Sequence, residues 1–269
     1  MDSLKSHDIL GVRINDLTFF ELREQLRAWL NGPSLRTIVT PNPEFILQAR
    51  KDEAFRERLN QADLSVADGT GLKYALAALS NERLENRQTG VDLLEELAAL
   101  CAKEEKNLLL FGGLHGSAQQ AAGALRTRYP ALDVRAYEPG LMKESRHELK
   151  VAPADLEAIG LHAAAVLAVG LGQGKQEQFI AQYANGFPTI RIAIGVGGAF
   201  DTIGGRLPRA PASWRRAGLE WLWRLRLEPH RWPRIFRATV VFPIVVISAT
   251  LKQHRFWKAC KNVLREFIR

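Results

Sequence analysis

The chain has 269 residues, of which 46% are hydrophobic and 25% are charged. This length suffices for one large α/β domain with a full core, and the composition excludes a disordered chain, a fibre and a multi-span membrane protein. The formal net charge of +8 would by itself favour nucleic acid as a partner.

The strands and helices expected along the chain alternate, because short apolar runs are separated by stretches with helical periodicity. An N-terminal unit, 9–14, predicts an edge strand, and a covering helix is expected to begin near Asp16 or Thr18. Further strands are predicted at 36–40, 64–67, 107–111, 132–137, 165–169 and 189–194. Helices are predicted at 44–61, 71–79, 91–103, 117–129 and 175–183. This order predicts an α/β fold, a Rossmann-like and mostly parallel sheet with helices on both faces.

The C-terminal segment, residues 204–269, differs from the body formed by residues 1–203. It holds 15 of the 37 Lys and Arg residues but 3 of the 29 Asp and Glu residues, and five of the six tryptophans. The segment therefore carries +12 and the body −4. Five prolines are expected to break it into short helical pieces: Pro208, Pro211, Pro229, Pro233 and Pro243.

The uncharged run 238–251 lies inside this segment and is 14 residues long. At about 1.5 Å per helical residue it is too short to cross a hydrocarbon core of about 30 Å. We therefore expect it to be buried or to lie at a membrane surface.

The two cysteines, Cys101 and Cys260, stand far apart without CxxC spacing. This pattern argues against a disulfide framework and a structural zinc site, and it favours a reducing cytoplasm. The first eleven residues carry charges where a signal peptide needs an apolar run, so we expect no export or transit segment.

Polar residues follow the first predicted strands, at the sheet edge where open α/β folds bind ligands. Taken alone, the TPNPE pattern favours an ordinary helix start with Asn42 as the N-cap, and the alternative is that Thr40 and Asn42 direct their polar side chains at a sugar. Asp68 enters a glycine turn, which is either an ordinary Asp-Gly turn or a place for a catalytic base.

Three glycine-rich loops follow later strands. Gly112 and Gly113 suit the approach of a phosphate, but the loop is no GxGxxG motif. The loop with Gly172 fails the GxxxxGK[ST] pattern, which disfavours a phosphate-hydrolysing NTPase. Gly197 and Gly198 permit either tight helix packing or the approach of a base or ribose.

Eight motifs occur in order between about residues 12 and 242. They are TPNPE at 40–44, ADGTG at 67–71, RQTGVDL at 87–93, FGG at 111–113, VGLGxxKQE at 169–177, GVGGAFD at 195–201, RAP at 209–211 and GLEWLWRLxxEP at 218–229. Together they resemble the WecG/TagA/CpsF glycosyltransferases, family 26.

The resemblance implies an inverting, metal-independent transfer of a sugar from a UDP donor to a polyprenyl-diphosphate-linked sugar, without a cofactor. N-acetylmannosamine, its uronic acid and glucose are the sugar types used, and the reaction serves cell-surface polysaccharide synthesis on the cytoplasmic face of the membrane. No DxD-like acidic pair follows a predicted strand, which agrees with the absence of a metal.

The resemblance also implies roles for individual residues. Asp68 is the expected general base. Residues expected to bind the substrate are Thr40, Asn42, Arg87, Gln176, Gly112, Gly113, Gly172, Gly197 and Gly198, joined by Arg224, Arg231 and Arg234 from the appendage at the donor diphosphate. Two features depart from the family pattern: Gly174 replaces the usual proline before KQE, and the loop 140–161 is atypical.

Two other classes of function stay open at this point. A non-catalytic nucleotide-sugar or nucleic-acid-binding protein could use the same scaffold, and a hydrolase could use water as the acceptor. We favour a peripheral protein on an anionic membrane surface and no nucleic-acid partner, because the uncharged run 238–251 between basic flanks suits lipid. The oligomeric state is open, including a homo-oligomer.

Overall fold

The computed structural model describes residues 4–140, 142–144 and 148–268. Its strands are β1 (Ser6–Ile9), β2 (Val12–Asn15), β3 (Arg36–Val39), β4 (Leu64–Ser65), β5 (Leu108–Gly112), β6 (Val134–Tyr137), β7 (Lys143–Glu144), β8 (Leu149–Lys150), β9 (Val166–Gly170) and β10 (Ile192–Gly195). Helices of the body are α1 (Phe19–Leu30), α2 (Pro43–Ala49), α3 (Glu53–Gln61), α4 (Gly71–Leu79), α5 (Gly90–Lys103), α6 (Ser117–Arg128), α7 (Pro153–His162), α8 (Lys175–Tyr183) and α9 (Ala199–Ile203). Helices of the C-terminal segment are α10 (Ala212–Arg216), α11 (Glu220–Leu227), α12 (Trp232–Phe236), α13 (Phe242–Lys252) and α14 (Phe256–Ile268).

A parallel sheet of six strands forms the centre, in the order β4-β3-β10-β9-β5-β6. Its strands are apolar because both faces are covered. Leu108 and Leu110 of β5 belong to the core on one face, which α1, α5, α6 and α9 complete. Leu109 and Phe111 face the other side, which is covered by α2, α3, α4, α7, α8 and the C-terminal helices. The predicted α/β fold with a mostly parallel sheet is confirmed.

The N-terminal unit is a hairpin and not the single edge strand expected at 9–14. β1 and β2 pair antiparallel around a turn at Leu10 and Gly11, both with positive φ. A single bridge between Asn15 and Val66 joins β2 to the β4 edge of the sheet. The helix expected near Thr18 is confirmed, because Thr18 caps α1.

The predicted helix 44–61 is two helices, because Asp52 caps α3 by accepting a hydrogen bond from the Phe55 amide at 3.0 Å. The region 140–161, expected to be a loop, contains β7, β8 and most of α7. Residues 141 and 145–147 of that region lie outside the described residues.

The expected short helical pieces are present at α10 and α11, which lie between Pro211 and Pro229, but Pro233 and Pro243 do not break the segment, because Pro229–Lys252 is one continuous helix of 24 residues. A π-helical turn at Arg237–Val241 precedes Pro243 and lets the helix continue through this proline. In this turn the Phe242 amide donates to the Arg237 carbonyl. By length and composition this helix could cross a membrane, with a mean hydropathy of 1.7 over its most apolar 18 residues. This corrects the expectation of a segment that is too short.

The same helix packs along the body. Phe242 and Val246 are buried in the core formed with α2 and α4, and Thr250 is buried beside them. Ala259 of α14 joins that core, and α14 lies against α4. The C-terminal helices therefore complete one face of the body while their other side stays exposed.

Candidate active site

The loops after β3 and β4 meet at the carboxyl end of the sheet. Thr40 is buried directly after β3, and the Asn42 side chain accepts hydrogen bonds from the first amides of α2 at 2.9 and 3.2 Å. The Asp68 amide donates to the Pro41 carbonyl at 2.8 Å, which ties the second loop to the first. Asn42 is thus a helix cap, and its contact with a substrate stays a prediction.

The Asp68 carboxyl has no hydrogen bond or ion pair to any residue that the structure describes. Burial raises the pKa of Asp68 to about 7, with a further contribution from the negative charge of Glu220, while Arg224 and Arg87 act in the opposite direction. A carboxylate with this pKa is a stronger base than an ordinary aspartate, and its lone pairs are free.

Glu220 is a site residue that the sequence interpretation missed. It begins α11, and its charge acts on Asp68 from 152 positions further along the chain. Its place in the GLEW motif was a signal, but only the fold brings that motif to the ADG loop. A Cβ at Gly218 would lie 2.7 Å from a side-chain carbon of Thr70, so glycine permits the two motifs to touch.

Arg87 reaches the site on a loop that the buried carboxylate of Asp16 holds. The oxygens of Asp16 accept hydrogen bonds from the Glu85 and Asn86 amides at 3.1 and 2.9 Å. The Arg87 guanidinium donates to the Arg215 carbonyl at 2.5 Å, so it connects the body to the C-terminal segment beside Asp68. Asp16 is a second residue whose positioning role the sequence did not indicate.

Gln176 and Glu177 bridge two loops of the edge. The Gln176 side chain accepts from the Gly197 amide at 3.0 Å and donates to Glu177 at 2.6 Å. Glu177 also accepts from the Gly174 amide at 2.7 Å. Burial raises the pKa of the Glu177 carboxyl to about 7, although these hydrogen bonds oppose the shift. Gln176 is buried and holds the two loops together, and its contact with a substrate stays a prediction.

The backbone conformation of Gly174 accounts for glycine where the family pattern has proline. Its φ is +88°, a conformation closed to proline, and its amide supplies the hydrogen bond to Glu177. The neighbouring Gln173 donates to Gln48 at 2.9 Å, which fastens this loop to α2. The conformation of this loop therefore depends on glycine at position 174.

Gly112 and Gly113 let the β5 and β9 loops cross closely. The Gly113 amide donates to the Gly170 carbonyl at 2.9 Å, and a Cβ at Gly112 would lie 2.8 Å from that oxygen. Gly172 has φ +84° and open space around it. In the same loop, the amides of His115 and Gly116, just before α6, donate to the Glu138 carboxylate at 2.9 and 3.1 Å, so these two donors are not available to a phosphate.

Two arginines of the C-terminal segment lie over the glycine loop after β10. A Cβ at Gly198 would be 3.5 Å from Nη1 of Arg224 and 3.9 Å from Nη2 of Arg231. Arg224 also donates to Thr202 at 3.3 Å. Glu228 pairs with both arginines, at 3.8 Å to Arg224 and 2.8 Å to Arg231, and so keeps them side by side.

Arg234 occupies a different place on the same edge, where it pairs with Glu44 of the TPNPE motif at 2.8 Å.

The predicted site residues fall into two groups according to the strands that they follow. Around β4, β3 and β10 lie Thr40, Asn42, Asp68, Arg87, Gly197, Gly198, Arg224 and Arg231. Gly112 ends β5 and Gly113 follows it, four strand spacings from β4 and so about 19 Å away.

At the end of the parallel sheet, a carboxyl without a hydrogen-bond partner among the described residues lies within the electrostatic influence of Arg224 and Arg87, which suits transfer chemistry on an anionic substrate. Comparison with known proteins agrees. The model of the glycosyl transferase WecG/TagA/CpsF family matches residues 7–256. The chain belongs to this family.

Similar curated proteins are named N-acetylglucosaminyldiphosphoundecaprenol N-acetyl-beta-D-mannosaminyltransferase. The one from Bacillus subtilis strain 168 is 30% identical over 230 residues, which cover 85% of each chain. The one from Staphylococcus aureus strain MRSA252 is 29% identical over 254 residues, covering 94% of this chain and 95% of its own. As a WecG/TagA/CpsF protein, the chain is a glycosyltransferase, and the family resemblance drawn from its eight motifs is confirmed.

Proposed function

We propose that this glycosyltransferase moves an N-acetylmannosamine-type sugar from a UDP donor to an N-acetylglucosamine carried on a polyprenyl diphosphate, in cell-surface polysaccharide biosynthesis. One observation carries the proposal: the unpartnered Asp68 carboxyl lies within the electrostatic influence of Arg87 and Arg224 at the sheet edge. The names of the similar proteins support the choice of sugar and acceptor.

The proposed mechanism is a single displacement. Asp68 takes the proton of the acceptor hydroxyl as that oxygen attacks the anomeric carbon, and the bond from this carbon to the UDP oxygen breaks. Attack opposite the leaving group inverts the anomeric configuration. The charge that develops on UDP is met by Arg224 and Arg231, whose planar guanidinium groups each pair with two phosphate oxygens. These cations take the role of a metal ion, so the mechanism uses neither metal nor cofactor.

The C-terminal segment, residues 204–269, is proposed as a membrane-associating appendage to the catalytic body, residues 1–203. Its outer side exposes large apolar side chains: Trp232, Phe236, Val240, Ile244, Ile247, Leu251, Trp257, Leu264, Phe267 and Ile268. Nucleic acid does not require such a surface, whereas a lipid interface does. Because the inner side of α13 packs on the body, we propose that the helix lies along the inner face of the cytoplasmic membrane and does not cross it.

A donor screen tests the proposed function. With N-acetylglucosamine-diphosphoundecaprenol as acceptor and EDTA present, UDP-N-acetylmannosamine is expected to give product at least about tenfold faster than the corresponding uronic acid or glucose donor. Product is followed by chromatography of the lipid fraction. UDP release that needs no acceptor would indicate a hydrolase, and UDP binding without turnover would indicate a non-catalytic protein. Loss of product in EDTA would contradict the metal-free mechanism.

The pH profile is expected to report Asp68. Since its pKa is about 7 and the base must be ionised, kcat/KM should rise about tenfold per pH unit below 7 and level off above it. Glu220→Gln removes a charge that raises this pKa, so the inflection should move to lower pH by up to about one unit. Glu157→Gln, an exposed carboxylate on α7, should leave the profile in place. An unmoved inflection in Glu220→Gln would contradict the assignment.

A further inference from the structure

A groove of about 330 Å³ lies away from the candidate active site, between α13, the β1–β2 turn, the end of α2 and the first turn of α3. Its polar lining consists of Arg50, Arg56, Ser248 and Lys252. α2 connects the two places, since it begins next to Asn42 at the sheet edge and ends next to Arg50 at the groove. None of the motifs that identify the family contributes a residue to this groove.

The charge in the groove is not balanced. Arg56 pairs with the exposed Glu53 at 2.6 Å, but Arg50 and Lys252 form no ion pair with any carboxylate in the described part of the chain. Arg50 and Lys252 therefore leave two positive charges uncompensated at one small cavity, and a bound anion relieves their mutual repulsion. The Ser248 hydroxyl, which makes no hydrogen bond to a described residue, adds a donor. The lining thus matches an anion with several acceptor oxygens.

The position of the groove on α13 indicates where such an anion comes from. Ile244, Ile247 and Leu251 are among the most exposed apolar side chains of this helix, at 60%, 45% and 54%. Each precedes a groove-lining residue in the sequence, so the apolar ridge and the groove adjoin along the helix. When such a ridge enters the boundary between headgroups and acyl chains, a cationic groove beside it lies at the depth of the lipid phosphates.

We propose that this groove binds the phosphate of an anionic phospholipid headgroup. The proposal rests on the proposed membrane attachment and adds a defined site to it. The proposed phosphate site lies at the C-terminal end of α2, next to Arg50. The N-terminal end of the same helix carries Asn42 and Glu44 of the candidate active site. Because Arg234 ties Glu44 to the same long helix, a lipid in the groove would fix the orientation of the active-site edge relative to the membrane.

The test uses the full chain and two vesicle compositions, neither containing polyprenyl diphosphate: pure phosphatidylcholine, and phosphatidylcholine with phosphatidylglycerol. Arg50→Gln combined with Lys252→Gln is expected to lower partition into the anionic vesicles about 30-fold, from about 1 kcal/mol per cation. Partition into neutral vesicles should not change. The matched control, Lys103→Gln with Lys106→Gln, removes the same charge on the opposite face of the sheet and should lose less than about twofold.

Each other result overturns the proposal. Equal losses in the two double variants would mean that only net charge matters, and an equal loss on neutral vesicles would mean that the groove variant is damaged. A third result would be equal vesicle binding by the wild type and the groove variant, together with a rise in the melting temperature of the wild type alone in millimolar inorganic phosphate. The groove would then bind a soluble anion and not a lipid headgroup. If the wild type binds neither vesicle, the proposed membrane attachment also fails. Transfer to a short-chain acceptor in solution would still test the glycosyl transfer itself.

Discussion

Replacing Asp68 with asparagine is expected to lower kcat for sugar transfer by about 10³-fold while leaving the affinity for UDP within about twofold. Asparagine keeps the size of the side chain but cannot accept the proton of the attacking hydroxyl. UDP binding should persist because the proposed diphosphate contacts come from Arg224 and Arg231. Turnover is measured with the lipid-linked acceptor, and UDP affinity by titration calorimetry.

Stability provides an internal control for this variant. Burial raises the pKa of Asp68 from 3.8 to about 7, so between these values the folded chain holds a proton that the unfolded chain has released. The free energy of unfolding therefore falls as pH rises through this range. Asparagine carries no charge, so Asp68→Asn should be more stable than wild type in urea at pH 8 by on the order of 2 kcal/mol, and equally stable near pH 4.

A loss of activity together with a gain of stability would assign a catalytic role to Asp68 and exclude misfolding. Asp133→Asn removes an exposed carboxylate that pairs with Arg135, and it should change neither quantity appreciably. If Asp68→Asn kept more than about a tenth of the wild-type turnover, another group would have to be the base. Glu220 would then be the first to examine, because it is the carboxylate whose charge acts most strongly on Asp68.

The sheet could be predicted from the sequence because its strands are buried on both faces. β5 and β9 are runs of apolar residues without an inward and outward alternation, and glycine closes each at the ligand edge. The predicted spans overlap all six strands of the sheet. The N-terminal hairpin was missed because its turn depends on Leu10 and Gly11 adopting positive φ, which an apolar pattern does not reveal.

The candidate site was only partly accessible from the sequence. The residue types after each strand indicated the ligand edge, since that edge follows from parallel topology alone. Contacts between residues that are far apart in the sequence could not be predicted in this way. Glu220 acts on Asp68, Asp16 holds the loop of Arg87, and the Gln176 side chain accepts a hydrogen bond from the Gly197 amide; each of these depends on tertiary packing.

The helices of the C-terminal segment were also only partly predictable from the sequence. Proline normally ends a helix, but Pro229 and Pro233 lie in first turns, where the missing amide costs little, and a π-helical turn precedes Pro243. Continuity then places Arg231 and Lys252 on one rigid element, about 32 Å apart at 1.5 Å per residue. A single helix therefore spans the distance between the candidate active site and the basic groove.

Replacing both Arg224 and Arg231 with glutamine is expected to lower kcat by about 10³-fold and to weaken UDP binding at least about tenfold. Both guanidinium groups lie over Gly198, and no other cation is as close to that glycine among the described residues. Without them the departing UDP loses the two cations proposed to lie against its diphosphate, and Arg87 beside Asp68 cannot replace both. Steady-state kinetics with the UDP donor and calorimetry with UDP alone measure the two effects.

The control for this double variant must separate phosphate contact from the charge of the appendage. Arg216→Gln with Arg226→Gln removes two exposed cations of the same segment that pair with no described carboxylate, and it should retain most of the turnover in solution. A second variant, Arg224→Lys with Arg231→Lys, keeps charge beside Glu228 but loses the planar fork, so it should recover UDP binding more than kcat. If the exposed pair lost as much activity as the pair at Gly198, general attraction between the basic appendage and the anionic donor would explain the effect, and the two arginines would have no specific place in the mechanism.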